Sequence, residues 1–218
     1  VEQIELHAIA IERHARGTSQ QASGPVRVTA GDGLMNYVLV PALPRLLAAH
    51  PGLRVDLRGD LEVLDLARRE ADVALRLMRP TSRSLVASRL GQVSYGIYAA
   101  EAYLSGHRRP STVAELAEHA WIDYTHAGGS VPAFAWLRAQ LSSRPAVRVT
   151  TTSTLLQACA AGLGLALILT RIADRDPRLT RLLPHAAIPA RDAWAVYHQD
   201  DRDNPRVRAV AAWLKQVL

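Results

Sequence analysis

A cluster of hydroxyl side chains followed by an apolar helix pattern is the part of this sequence best suited to bind a ligand. Thr150–Thr154 lies between a strand-like run from Val147 and an apolar segment that ends at Ala161. Short hydroxyl side chains accept hydrogen bonds from the free N–H groups of a first helical turn, so we expect this cluster, with Ser153 and Thr154, to cap a helix here. A capped helix N-terminus at the carboxyl end of a strand is typical of sites for small ligands.

Gly162 and Gly164 follow this helix and predict its end and a sharp return into a second strand that ends at Leu169. The segment is therefore a β–α–β unit. Its Gly-x-Gly comes after the helix, whereas a dinucleotide fingerprint must open the helix so that backbone N–H groups face the pyrophosphate. The plain alternative is that the unit is only scaffold.

Motifs for catalysis are missing from the chain. It contains no H-E-x-x-H, G-x-S-x-G or P-loop pattern. Its single cysteine, Cys159, excludes an intramolecular disulfide and a CxxC redox pair, and its apolar neighbours favour a buried packing thiol over a reactive one. We therefore expect no enzyme and no bound cofactor or metal.

Composition and charge limit the remaining classes. With 218 residues and 49% hydrophobic content, the chain can bury a substantial core in one large domain or two small ones. The net charge of +6 comes mostly from arginine, since Lys215 is the sole lysine, and the arginines are scattered, which argues against direct nucleic-acid binding by these residues. The longest uncharged apolar stretch, Leu155–Leu169, is too short to span a bilayer, so no membrane partner is expected.

The elements that must position these residues alternate between helix and strand. Val1–Arg16 has the period of an amphipathic helix, and Gly17–Pro25 is a polar linker. Residues 26–77 predict β–α–β–α–β, with helices at Leu34–His50 and Leu61–Glu70, and hence a parallel sheet. Two strand-like runs, Leu85–Leu90 and Val93–Ala99, are then separated by only two residues, which predicts passage into a second lobe.

The second lobe is expected to hold a buried strand at Trp121–Tyr124, a helix at Val131–Leu141 and the β–α–β unit described above. A late strand at Ala193–His198 and a helix opened by Asn204 and Pro205 return to the first lobe. The expected division is residues 1–25 as linker helix and linker, 26–91 as the first part of the first lobe, 92–192 as the second lobe and 193–218 as the return to the first lobe.

Four segments, in order and at matching spacings, resemble the effector-binding domain of LysR-type transcriptional regulators. They are GPVRVTAGDGLMNYVLVPALPRLLAAHPGLRVDL, LARREADVALRLMRP, LVASRLGQVSYGIYAAEAYL and ACAAGLGLALIL. The resemblance covers Val26 to Leu218 and implies an α/β, two-lobed, type 2 periplasmic-binding-protein-like fold with mixed, mostly parallel sheets and two interlobe crossings. It also identifies Val1–Gly17 with the end of a linker helix that joins this domain to an N-terminal winged helix-turn-helix.

The ligand cleft is expected where strand carboxyl ends and helix N-termini of the two lobes converge. The resemblance matches Gly31–Gly33 to the turn whose small or hydroxyl residues contact the effector in this family, and Asp32 departs from that pattern by adding a carboxylate. The residues expected to bind the effector are Gly31, Asp32, Gly33, Asp60, Arg76, Tyr124, Thr125, His126, Ser153 and Thr154.

Several of these residues have a structural alternative. N-capping of the helices that follow also explains Asp32 and Asp60. Arg76 either neutralises an anionic effector or pairs with a neighbouring aspartate, and His126 either contacts a ligand or is solvated. The charge of the effector stays open, because helix N-termini and Arg76 favour an anion while the two aspartates oppose one.

The leading hypothesis is a sensor domain. A small effector bridges the lobes, shifts an equilibrium between two arrangements and passes the change to a DNA-binding module. The expected partners are that effector, other copies of the chain in a dimer or tetramer, promoter DNA through the N-terminal domain, and RNA polymerase, all in the cytoplasm. The alternative is an extracytoplasmic solute-binding protein of a transporter, which shares the fold.

Overall fold

A computed structural model describes residues 21–59, 70–125, 131–141 and 144–218, and within them the chain forms two five-stranded sheets. The strand order is β2-β1-β3-β10-β4 in the first sheet and β7-β6-β8-β5-β9 in the second. The strands are β1 (Gly24–Ala30), β2 (Leu53–Gly59), β3 (Val73–Arg76), β4 (Leu85–Val93), β5 (Tyr95–Ala100), β6 (Trp121–Tyr124), β7 (Val147–Val149), β8 (Leu165–Leu169), β9 (Leu179–Leu182) and β10 (Arg191–His198).

Helices cover both sheets. They are α1 (Asp32–Leu34), α2 (Val40–Ala49), α3 (Glu101–Leu104), α4 (Pro132–Gln140), α5 (Thr152–Ala160), α6 (Thr170–Ala173) and α7 (Pro205–Val217), with 3-10 turns at Ala114–Glu118 and Gln199–Asp201. Asn204 caps α7 by accepting a hydrogen bond from the Arg206 N–H, and Pro205 occupies the first helical position, as the sequence predicts.

Each sheet has four strands in one direction and one reversed strand. In the first sheet β1 pairs in parallel with β2 and β3, while β10 is antiparallel to β3 and β4. In the second sheet β6 pairs in parallel with β7 and β8, while β5 is antiparallel to β8 and β9. This confirms a two-lobed fold with mixed, mostly parallel sheets. The reversed strands are β10 and β5, and each is the strand by which the chain enters its lobe from the other lobe.

The chain crosses between the sheets twice. Ser94 alone separates β4 from β5, and residues 183–190 join β9 to β10. The segment boundaries were expected at 91/92 and 192/193. In the first sheet β4 continues to Val93 and β10 begins at Arg191, so each strand extends two residues past its expected boundary. The short first crossing keeps the two lobes close together.

Apolar side chains of both lobes form one continuous core cluster. All five residues of β8 and all six of β5 are buried, which is typical of strands covered on both faces. α7 contributes Val207, Val210 and Leu214, whose spacing of three and four residues gives the helix one buried face. The core thus fixes the relative position of the strand ends that line the cleft.

The helix expected over residues 34–50 is not uniform. It begins at Asp32, and Met35–Leu39 form a π-helical turn in which the Val40 N–H donates to the Met35 carbonyl. Pro41 has no N–H to give to the carbonyl four residues earlier, which favours this wider turn over a regular α-helix.

Some expectations lie outside the described residues, namely the helix at Val1–Arg16, most of the helix at Leu61–Glu70, and the candidate residues Asp60 and His126. The sequence did not predict β9, because its four residues, Leu-Thr-Arg-Leu, are few and do not alternate between apolar and polar. In the described parts of the chain, no helix combines the length and the hydropathy needed to cross a bilayer.

Candidate functional site

The carboxyl ends of parallel strands from both lobes border a common cleft. In the first lobe, β1 ends at Ala30 and is followed by the turn that carries Gly31, Asp32 and Gly33. In the second lobe, β7 ends at Val149 and leads into α5. Hydrogen bonds join these two turns directly, so the structure brings Asp32 and Ser153 together across the cleft, although they are 121 residues apart in the chain.

The N-terminus of α5 is capped from within the expected hydroxyl cluster, but not by Ser153 or Thr154. Thr151 is the N-cap, and its Oγ1 accepts a hydrogen bond from the Thr154 N–H at 3.1 Å. The expectation that Ser153 and Thr154 cap this helix is wrong, because both residues lie inside the first turn. The Thr154 hydroxyl bonds the Thr151 hydroxyl at 2.9 Å, whereas the Ser153 hydroxyl points to the other lobe.

Asp32 supplies the acceptor for the remaining donors of that turn. Its Oδ1 accepts from the Thr152 N–H at 3.1 Å, and its Oδ2 accepts from the Ser153 N–H at 3.1 Å and the Ser153 hydroxyl at 3.2 Å. The alternative that Asp32 caps its own helix is wrong, since Gly31 is the N-cap of α1 and no side chain caps it. Asp32 instead places a negative charge at the positive end of a helix in the opposite lobe.

Gly33 lies at a close approach between the lobes. A Cβ added at this residue would lie 2.7 Å from Thr152 Cγ2 and 2.8 Å from Thr152 Cβ. Gly31 differs, because a Cβ there would meet no atom within 4 Å. The need for glycine at residue 33 is therefore steric and concerns contact between the lobes.

Tyr124 supports the same helix terminus from within the second lobe. Its hydroxyl lies 2.7 Å from Thr152 Oγ1, and its ring meets that of Phe134 edge-on, with centroids 5.3 Å apart. Burial raises the pKa of Tyr124, and the nearby charge of Asp32 adds to the shift, so the phenol stays protonated and neutral.

Thr125 and Arg76 lie near the cleft but make local contacts. The Thr125 N–H and hydroxyl both donate to the Val149 carbonyl, at 2.7 and 3.1 Å, which ties the end of β6 to β7. Arg76 is the last residue of β3, beside β1 at the cleft edge of the first sheet, and its guanidinium donates to the Leu75 carbonyl at 3.4 Å.

Sequence reasoning left two contact residues out of the candidate set. Thr152 contacts Asp32, Gly33 and Tyr124, and Asn36 donates from Nδ2 to Ser153 Oγ at 3.3 Å. Thr152 falls in the hydroxyl cluster that the sequence singles out. Asn36 carries a weaker signal, a polar residue one helical turn after Asp32.

A cavity of about 1090 Å³ lies elsewhere, at the opposite end of the first sheet, and does not belong to the cleft. Its lining includes Arg45, Leu46, His50, Arg208 and Trp213 from α2, α7 and the turn before β2. Among the described residues, no group of three or more histidine, cysteine or acidic side chains is arranged to hold a metal ion.

Two α/β lobes that meet at strand carboxyl ends, with polar turns from both lobes in contact, define a ligand-binding domain of the two-lobed, periplasmic-binding-protein type. The LysR substrate binding domain family matches residues 19–218. The chain belongs to that family and is the effector-binding domain of a LysR-type transcriptional regulator.

Individual relatives agree with this assignment. The chain is 27% identical over 202 residues to the HTH-type transcriptional regulator CrgA of Neisseria meningitidis, which covers 89% of this chain and 67% of that protein. The regulatory domain of CrgA superposes with a TM-score of 0.80 at 25% identity, over 89% of this chain and 98% of that one. The full-length virulence activator AphB of Vibrio cholerae shares the fold, with a TM-score of 0.76, 21% identity and coverage of 100% of this chain and 77% of that one.

These relatives are transcriptional regulators, which decides against the alternative of a transporter's solute-binding protein. The chain spans about two thirds of the length of CrgA.

Proposed function

We propose that this domain binds a small-molecule effector in the cleft between its lobes. The observation that supports the site is the set of hydrogen bonds between Asp32 and the first turn of α5. Through these bonds, a helix terminus of the second lobe is in direct contact with the first lobe. A ligand that contacts both turns changes the lobe spacing, because it binds the two arrangements with different affinity.

The candidate residues come from both lobes. The first lobe contributes Gly31, Asp32 and Gly33, with Arg76 at the neighbouring strand end, and the second contributes Tyr124, Thr125, Ser153 and Thr154. Asp60 and His126, outside the described residues, complete the proposal. The lobes as ligand-binding units are proposed to comprise 26–91 with 193–218, and 92–192.

The output is proposed to be a change in promoter binding. The third of CrgA that lies outside the match supports a separate DNA-binding part in the whole regulator, and the resemblance implies a winged helix-turn-helix for it. Assembly into dimers or tetramers, contact with RNA polymerase and a cytoplasmic location follow as proposals from the same resemblance.

The experiment is a thermal-shift screen of this domain against metabolites of differing charge, including carboxylic acids, amines, sugars and neutral aromatics. Any ligand that raises the melting temperature is then titrated by calorimetry against wild type and the Ser153→Ala/Thr154→Ala double variant. We expect weaker binding by the double variant with its fold intact. Ser105→Ala is the control, because the Ser105 hydroxyl is exposed and donates to the Ala102 carbonyl in its own helix turn. Unchanged affinity in the double variant would place the effector elsewhere.

A further inference from the structure

The first turn of α5 has an acceptor for each of its free N–H groups. Thr152 and Ser153 donate to the Asp32 carboxylate, Thr154 donates to Thr151 Oγ1, and the Leu155 N–H donates to the Thr151 carbonyl. A helix N-terminus normally attracts anions because these donors are unsatisfied and the helix dipole is positive there. In this chain an acidic side chain of the opposite lobe already occupies that position.

The Ser153 hydroxyl is hydrogen-bonded to two side chains of the first lobe. Ser153 Oγ accepts from Asn36 Nδ2 at 3.3 Å and donates to Asp32 Oδ2 at 3.2 Å, so its proton and one of its two lone pairs are used. Asp32 and Asn36 lie four residues apart on the helix that leaves the first-lobe turn. Two side chains of one lobe therefore hold a single hydroxyl of the other.

Steric features bring this carboxylate to the helix. Gly33, next to Asp32, has no Cβ to keep Thr152 away, and the approach closes to a distance that any side chain would prevent. Asp32 itself is only partly buried, so solvent and small solutes reach the N-terminus of α5 and compete with the Asp32 carboxylate there. The contact is thus tight in geometry but accessible to a competitor.

We propose that Asp32 is a tethered ligand of α5, which holds the lobes together without an effector and keeps carboxylate ligands off that helix terminus until it is displaced. We call this contact the Asp32 latch, defined by Asp32, Thr152 and Ser153. The proposal rests on the proposed function in one respect, since the latch regulates the cleft in which the effector is proposed to bind. The proposal also distinguishes effectors by charge. An acidic effector competes with Asp32, whereas a neutral or cationic effector binds beside it.

The test is to remove the tethered carboxylate and supply a free one. In Asp32→Ala, sodium acetate is titrated while the amide resonances of Thr152 and Ser153 are followed by NMR, with sodium chloride at the same ionic strength as the salt control. Asp56→Ala is the matched variant, because Asp56 is a first-lobe carboxylate whose hydrogen bonds are to Arg58 on the same strand. We expect acetate to shift both amides in Asp32→Ala and to leave wild type and Asp56→Ala unchanged.

Amide exchange gives a second measurement that needs no added anion. Loss of the carboxylate is expected to speed exchange at Thr152 and Ser153 by about tenfold, because a charged acceptor stabilises the first-turn N–H groups at a helix N-terminus. Asp32→Asn, which keeps the side-chain size, is expected to show the same direction of change. The proposal is overturned if neither variant speeds this exchange, or if acetate shifts the two amides in wild type as much as in Asp32→Ala.

The outcome is separate from that of the effector screen. Acetate reports on the latch alone, so its failure leaves the effector site to be judged by the Ser153→Ala/Thr154→Ala titration. Conversely, a screen without ligands leaves the acetate result intact.

Discussion

Replacing Gly33 with alanine tests how closely the two lobes approach. The added Cβ would lie 2.7–2.8 Å from three side-chain atoms of Thr152, whereas ordinary van der Waals contact begins at 3.4 Å. One of the three atoms is Thr152 Cβ, so rotation of the threonine side chain does not relieve the overlap. The two backbones must therefore separate by about 0.6 Å, the difference between the 2.8 Å distance to Thr152 Cβ and 3.4 Å.

That separation is large enough to break the contact between the lobes. The Thr152 and Ser153 backbone nitrogens are 3.1 Å from the Asp32 oxygens, and a further ~0.6 Å takes them beyond hydrogen-bonding distance. Overpacking of this kind costs about 1–3 kcal/mol. Because only the closed arrangement bears the cost, its population relative to an open one is expected to fall by roughly 5- to 150-fold.

Hydrogen exchange at individual amides, followed by NMR, is the appropriate measurement. Thr152 and Ser153 donate to the other lobe, whereas the Leu155 N–H donates to Thr151 in its own lobe and serves as an internal reference. Gly33→Ala is expected to speed exchange at the first two amides and not at the third. Gly31→Ala is the control, since its Cβ meets nothing within 4 Å. Equal exchange at Thr152 and Ser153 in the two variants would refute the steric reasoning.

Two further predictions concern titratable side chains in the second lobe. His119 is 9% exposed and hydrogen-bonds the Tyr103 hydroxyl, and burial, aided by the nearby His107, lowers its pKa. A lowered histidine pKa contributes stability that is present above the ordinary value of 6.5 and is lost as the pH falls below it. His119→Asn is therefore expected to lose less free energy of unfolding on acidification than wild type. Parallel pH profiles of the two proteins would contradict this. Burial also raises the pKa of the Cys159 thiol to about 12. A disulfide reagent is therefore expected to modify this thiol only as fast as the protein unfolds. Rapid modification in native buffer would show that the thiol is accessible.

Local sequence signals predicted most elements of the described fold. Trp121–Tyr124 is a strand with the bounds expected, α7 begins at Asn204 and Pro205 as expected, and Gly162, with φ +81°, follows the end of α5. These features depend on neighbours within a few residues, through hydrophobic period, capping and turn chemistry. The π-helical turn at Met35–Leu39 was not predicted, because sequence period does not distinguish a five-residue bulge from a regular helix.

The sequence by itself determined the alternation of strands and helices, the two crossings between lobes and the hydroxyl cluster at the start of α5. It left Asp32 with two interpretations, a cap for its own helix or a group in the cleft. Only the tertiary structure decided between them, because the donors that bind this carboxylate come from Thr152 and Ser153, 120 and 121 residues away. A local pattern fixes which groups a turn presents, but the partner of a charged side chain depends on which strand ends the two sheets bring together across the cleft.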